Sequence, residues 1–212
     1  MKIVQPNVEF ITPVNGKVIL TRIEEIARTC YKSEDKITSE SAGKFVRHLV
    51  DRGHEAMIEH CHVTVKFTCD RGVSHEIVRH RMASFAQEST RYCNYGKDGF
   101  GREITVIEPC YLVPHTPGYR LWKHACEVSE TAYMEMLEHG FTPQEARAVL
   151  PNSLKTELVM TADMREWRHF LRLRCHPTAH PQMRQVALIL LGMFHEAVPV
   201  IFDDLWEEFG NG

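Results

Sequence analysis

No run of 18 apolar residues occurs in this chain, and its opening, Met1-Lys2-Ile3-Val4-Gln5-Pro6, has no long apolar region of the signal-peptide kind. Neither membrane insertion nor secretion is indicated, and a cytoplasmic protein is expected. No Cys-x-x-Cys pair exists among the seven cysteines at 30, 61, 69, 93, 110, 126 and 175. An odd number without regular spacing fits reduced thiols better than a disulfide framework, so all seven are expected to be free. The Gly-x-Gly-x-x-Gly turn and the Walker A loop are also missing, so a nucleotide-sized ligand would have to be held by side chains instead of a glycine-rich helix start. Internal repeats and low-complexity tracts are absent. There is no basic excess either: the net charge is −3 and the pI about 6.5, which argues against a surface for long nucleic acid.

What is present is a 212-residue chain, 43% hydrophobic and 25% charged, enough to bury one good core. A single domain over residues 1–212 is expected. Arginine outnumbers lysine 16 to 9, which suits directed recognition of phosphates and carboxylates more than diffuse attraction of counter-ions. A small polyanionic ligand fits that balance.

The pattern along the chain reads as helices with few strands. Lys2 to Thr12 and Lys17 to Leu20 read as short strands, Arg22 to Tyr31 as a helix, and Ser39 to Asp51 as a second helix ending at Gly53. Val63, Val65 and Phe67 alternate with Thr64, Lys66 and Thr68, the period of a half-buried strand, and Asp70-Arg71-Gly72 turns it into a helix leading to Arg79. Asn94 to Arg102, with three glycines, reads as a loop. Thr116-Pro117 begins a long helix to His139, and Thr142-Pro143-Gln144-Glu145 forms a capping box for the next. Ser153 to Thr161 can be a strand, Asp163 caps a helix to Arg174 with Glu166 at its third position, and Pro181 to Ala197 and Val200 to Phe209 are apolar-faced helices. The fold class is α+β, or mixed α/β.

The chemistry concentrates in Arg79-His80-Arg81-Met82-Ala83-Ser84-Phe85-Ala86-Gln87-Glu88-Ser89-Thr90-Arg91-Tyr92. Three guanidiniums, an imidazole and several hydroxyls suit an anion, because the arginine fork matches phosphate geometry and hydroxyls with turn N–H groups complete a cradle. Val73, Ile77 and Met82 recur at roughly helical intervals, so the first arginines are placed where a helix meets a loop. Ser89 as a nucleophile has no Ser-His-Asp arrangement or Gly-x-Ser-x-Gly elbow beside it. His54, Glu55, Glu59 and His60 suggest a metal cluster, but the zinc-protease spacing needs a histidine at 58, where Ile58 stands. No metal site is expected there.

Arg-His-Arg followed by seven residues and a serine resembles the signature of the flavin-dependent thymidylate synthases. The resemblance extends back to Arg52-Gly53-His54-Glu55-Ala56-Met57-Ile58-Glu59-His60. It extends forward to Ala146-Arg147-Ala148-Val149-Leu150-Pro151 and Phe170-Leu171-Arg172-Leu173-Arg174, so it covers about Ile26 to Trp206. It implies a small central, mostly antiparallel sheet flanked by helices, and a homotetramer whose active sites each draw on several chains around FAD. The implied reaction is reductive methylation of dUMP to dTMP, with 5,10-methylenetetrahydrofolate as carbon donor and NADPH reducing the flavin.

The resemblance also implies roles. Flavin would meet His54, Ala56, Arg79, His80, Arg81, Gln87, Asp163, Met164, Arg165 and His169. The nucleotide would meet Glu76, Ile77, Val78, Arg79, Gln87, Glu88, Ser89, Thr90, Arg91, Arg147 and Arg174, with Ser89 and Arg91 on its phosphate. Arg174 would face the uracil ring and stabilise the charge that develops when N3 loses its proton. Arg165, Arg168 and Arg172 fall on one helical face, and a solvated face is expected for Arg168 and Arg172. Glu76, Gln87, Asp163 and His169 depart from the commoner family pattern, which often has glutamine, glutamate and two asparagines at these positions. Two other readings remain: a metal-dependent nucleotide hydrolase using some of the 13 histidines, and a non-catalytic nucleic-acid-binding module.

Overall fold

The computed structural model describes residues 1–210. Strands β1 (Lys2–Val4), β2 (Asn7–Phe10), β3 (His62–Asp70), β4 (Ser84–Gln87), β5 (Thr105–Ile107) and β6 (Lys155–Asp163) alternate with helices α1 (Gly16–Thr29), α2 (Ser41–Asp51), α3 (Arg71–Ile77), α4 (Pro117–Glu138), α5 (Pro143–Ala146), α6 (Met164–Arg174), α7 (Pro181–Ala197) and α8 (Pro199–Phe209). The expected α+β class holds, with a small antiparallel sheet in strand order β2-β3-β6-β4. β1 and β5 form a separate parallel pair, with Ile3 opposite Val106. β3 and β6 bury every second residue, as their sequence alternation requires. All seven cysteines are free. No helix among the described residues is long and apolar enough to cross a membrane.

The chain divides into two compact units, each assembled from separated stretches. One comprises Met1–Asn7, Phe67–Arg79 and Ala86–Val159. Its core gathers Tyr95, Ile104, Val106 and Leu154 with Cys126 and Tyr133 of the inner face of α4. α4 begins where expected, with Thr116 Oγ1 accepting from the Tyr119 N–H and Pro117 in the first turn. Glu145 reaches back to the Thr142 N–H at 2.8 Å, completing the capping box of α5.

The other unit comprises Val8–Lys66, His80–Phe85 and the chain from Met160 onward. Here Trp167, Phe170, Phe194 and Phe202 pack as one aromatic cluster, with Phe194 and Phe202 stacked at 4.5 Å. The Trp167 Nε1–H donates to the Val63 carbonyl at 3.1 Å, so the indole is buried with its polar atom satisfied.

Lys17 to Leu20, expected as a strand, is the first turn of α1. Asn15 caps it, its Oδ1 accepting from the Val18 N–H at 3.2 Å, and the joint burial of Ile23, Glu24, Ala27 and Arg28 has the spacing of one helical face, which a strand would divide between two faces. The expected strand Lys2 to Thr12 is two strands, interrupted at Gln5-Pro6, where proline offers no ladder donor. β4 and β5 were not anticipated.

Candidate active site

The signature lies where a helix gives way to a loop, as its pattern implies. α3 is capped by Asp70, whose Oδ1 accepts from the Val73 N–H at 2.8 Å, and it ends at Ile77. Val73 and Ile77 are buried, whereas Met82 lies beyond the helix and is 75% exposed, so Met82 is not part of that apolar face. Val78 caps the helix C-terminus, and the Arg79 N–H donates to the Glu76 carbonyl at 3.2 Å. Arg79 and Arg81 are exposed, while His80 between them is buried. Ile77 has no accessible surface and serves as core packing rather than as a ligand contact.

In the first unit the end of β4 and the residues after it form a compact polar cluster. Gln87 donates through Nε2 to Ser74 Oγ at 2.9 Å and to Thr156 Oγ1 at 3.3 Å, so its amide is tied to the scaffold. Glu88 accepts from Lys155 Nζ at 3.0 Å and from the Tyr95 hydroxyl at 3.0 Å. Burial and then Glu88 push the Tyr95 phenol above its ordinary range; for Lys155 burial is the largest single influence and opposes the charge, but Glu88 and Glu157 together outweigh it and raise the ammonium pKa. The Ser89 carbonyl accepts from the N–H groups of Tyr92 and Cys93 at 3.1 and 2.9 Å, and Ser89 Oγ accepts from the Arg91 N–H at 3.3 Å. Arg147 Nη1 donates to Thr90 Oγ1 at 3.3 Å across 57 residues of sequence. The fold therefore brings Arg147 to the Ser89–Arg91 turn. Lys155 and Tyr95 were missed by the sequence reading, because nothing local marks them as partners of Glu88.

In the second unit, His54 follows Gly53, whose φ of +70° is a conformation that a side chain would strain. His54 and Ala56 line a mostly apolar cleft of about 450 Å³ together with Tyr31, Phe45, Leu49 and Met57. A flat tricyclic ring needs such walls, and the exposed guanidiniums of Arg81 and Arg165 are suited to a pyrophosphate, so the residue set fits a flavin dinucleotide.

Asp163 caps α6, its Oδ1 accepting from the Glu166 N–H at 2.8 Å. Met164 is wholly buried, a core residue with no surface to offer a ligand. Arg165 pairs with Glu59 at 2.5 Å. His80, its ring packed 4.8 Å from Phe170, accepts at Nε2 from Arg174 Nε at 3.1 Å and meets Glu166 Oε1 through Nδ1 at 3.1 Å. Burial, then the neighbouring Arg174 and His169, depress the His80 pKa to about 4, so the ring is neutral at pH 7 despite its carboxylate partner. Burial pushes the Glu166 carboxyl upward.

Arg168 corrects the sequence reading. It is 2% exposed, donates to Glu55 at 2.9 Å and to both oxygens of Asp204 at 2.7 Å, and reaches the Ile201 carbonyl. Its carboxylate partners come from a preceding 3₁₀ segment and from α8, so the residue ties three elements together. Arg172 is half exposed and lies 3.9 Å from Asp204.

His80, Glu166 and His169 are the one group among the described residues with ligand atoms close enough to suggest a metal, all within 4.8 Å. Both ring nitrogens of His80 are already engaged, so an ion there would displace one of those bonds.

Comparison with known proteins places the chain in a family. Residues 19–200 match the family model described as thymidylate synthase complementing protein. A flavin-dependent thymidylate synthase of Corynebacterium glutamicum is 34% identical, the match covering 93% of this chain and 83% of that protein. One from Geobacter sulfurreducens is 31% identical over 84% of this chain and 78% of that protein. The fold is similar to that of the UMP/dUMP methylase PolB from Streptomyces cacaoi, solved with 5-Br dUMP, at a TM-score of 0.79, 24% identity, and coverage of 100% of this chain and 99% of that one. With the signature, the matched length and the relatives in agreement, the chain belongs to the flavin-dependent thymidylate synthase family of enzymes.

Proposed function

We propose that this protein methylates dUMP at C5 to give dTMP, taking the carbon from 5,10-methylenetetrahydrofolate and reducing equivalents from NADPH. The observation that supports this reading best is the approach of Arg147 to Thr90, which joins two distant motifs in one anion-ready turn. A phosphate monoester carries a charge near −2 and is well served by guanidiniums with hydroxyl and backbone donors. Ser89 accepts from the Arg91 N–H, which leaves its own hydroxyl proton to donate to a phosphate oxygen. Glu88, next in the chain, would repel that phosphate were its charge not balanced by Lys155.

FAD would be held by His54, Ala56, Arg79, His80, Arg81, Gln87, Asp163, Arg165 and His169, and when reduced it supplies the hydride. The remaining chemistry belongs to the protein. Arg174, with its Nε held by His80, presents a fixed guanidinium plane that polarises a uracil carbonyl and stabilises charge as N3 loses its proton. No nucleophilic side chain is assigned; orientation of the ligands is the protein's main contribution.

The two compact units interleave in sequence, so neither is a continuous excisable segment, and this supports treating residues 1–212 as a single domain. We further propose a cytoplasmic homotetramer whose active sites each draw on several chains. The test is an absorbance spectrum of the purified protein from 300 to 550 nm, recorded anaerobically with NADPH and with or without dUMP. Flavin bands that NADPH bleaches at a rate altered by dUMP support the reading. A colourless protein that takes up neither FAD nor dUMP removes it, and activity abolished by a chelator would favour the hydrolase.

A further inference from the structure

We propose that Glu166 is a positioning residue for Arg174, acting through His80. Its carboxylate holds the imidazole in the Nδ1–H form, leaving Nε2 as the bare acceptor that orients the guanidinium.

An arginine Nε–H can only donate, so the 3.1 Å contact from Arg174 requires His80 Nε2 to be unprotonated. A neutral imidazole must then carry its proton on Nδ1, and Glu166 Oε1 lies 3.1 Å from that atom. Were His80 charged, Nε2–H would face Nε–H, donor against donor. The depressed pKa of His80, about 4, agrees with this.

The relay is held rigidly at each end. The His80 side chain is only 3% exposed and the Glu166 side chain 11%. Phe170 packs on the ring at 4.8 Å and His169 meets its edge at 5.6 Å, so the imidazole has little room to swing. Glu166 is fixed in the first turn of α6 through the Asp163 cap. Glu166 and Arg174 are eight residues apart on α6, about 12 Å along the axis at 1.5 Å per residue. His80 bridges that span from outside the helix.

Removing the carboxylate would leave a buried N–H without its acceptor and release the choice of tautomer. The Nε2–H form would then push against Arg174, and the guanidinium would lose its direction. The consequence for catalysis rests on the synthase reading; the tautomer does not.

The test begins with ¹⁵N-edited NMR of the imidazole resonances in the wild-type protein at pH 7, the His80 signals assigned with His80→Gln. A protonated Nδ1 with bare Nε2 is expected; an Nε2–H form or an imidazolium overturns the proposal, whatever the variants do. Glu166→Ala is expected to lose the Nδ1–H form and to lower kcat on the order of 100-fold. That is less than the ~10⁴ seen where a misplaced tautomer disables a catalytic base directly. Bound FAD and the KM for dUMP are expected to change by less than kcat does, because Glu166 itself is assigned no ligand contact. Glu166→Gln, whose amide oxygen still accepts, is expected to restore both tautomer and turnover to within about 5-fold of wild type. Unchanged kcat in Glu166→Ala, or equal losses in Ala and Gln variants, contradicts the positioning role. A wild-type protein with the expected tautomer but no dTMP formation would sink the synthase reading and leave the Glu166–His80 assignment standing.

Discussion

The Arg174 Nε–H donates to His80 Nε2 at 3.1 Å, joining two residues 94 positions apart. In the proposed mechanism a guanidinium fixed in this way is preorganised for the moment when charge develops on the pyrimidine, and such donors contribute about 10²–10³ in rate. Arg174→Ala is therefore expected to lower turnover by roughly that factor while the flavin absorbance of the purified protein is retained. Near-normal turnover in the variant would remove Arg174 from its role.

Arg147 donates to Thr90 in the turn that begins at Ser89. A charge-assisted bond to phosphate contributes about 1.5–3 kcal/mol, or roughly 10- to 150-fold in affinity. Arg147→Ala is expected to raise the KM for dUMP by that order with a smaller effect on kcat. An unchanged KM would place the phosphate elsewhere.

The sequence carried the capped helices and alternating strands clearly, because caps and periodicity are local. Asp70, Thr116, Thr142 and Asp163 each mark a helix start that the structure reproduces. Lys17 to Leu20 misled because Val18, Ile19 and Leu20 have strand character by composition, while the Asn15 cap and the burial of Ile23 decide for a helix. Three- and four-residue strands such as β5 and β4 are too short to show a period. The polar pairings were invisible for another reason. Arg168 meets Glu55 across 113 residues, and His80 meets Glu166 across 86, so neither leaves a mark on local spacing. Family resemblance brought His80 and Arg174 to notice; only the fold brings in Glu166, Tyr95 and Lys155.

Acid stability tests the neutral state of His80. Its pKa falls from an ordinary 6.5 to about 4 in the fold, so between those values the unfolded chain binds a proton that the folded chain rejects. Stability is expected to fall as pH drops through this window, by at most about 3 kcal/mol. Glu166 works in the opposite sense, its raised pKa favouring the folded state once protonated, and offsets part of the loss. Urea unfolding at pH 7 and pH 4.5 should show a smaller pH dependence in His80→Gln than in wild type. Equal dependence would show that His80 is charged or solvated in the fold.

Arg168 is structural. Its removal takes the nearest cation from Glu55 and Asp204, leaving Arg165 and Arg172 at 3.8 and 3.9 Å, and opens a buried gap. Breaking a buried pair costs about 3–5 kcal/mol, which the half-exposed Asp204 side chain reduces to roughly 2–3 kcal/mol. Arg168→Ala is expected to lower the urea midpoint accordingly. For the solvated residue first expected here, the change would stay within about 0.5 kcal/mol.

Asp204 adds a check at lower pH. Burial, the largest single influence, would raise its pKa, but Arg168, the Leu205 N–H and Arg172 together outweigh it and hold the carboxyl below its ordinary 3.8. That contribution is present above pH 3.8 and lost as pH falls through the depressed value, so Asp204→Asn should narrow the wild-type advantage only in strongly acidic solution.

The most direct test of the account is product analysis: purified protein with FAD, NADPH, 5,10-methylenetetrahydrofolate and dUMP, assayed for dTMP by chromatography. The account expects dTMP only when all four are supplied, with flavin oxidation dependent on dUMP. Absence of dTMP from a folded, flavin-loaded protein would contradict it.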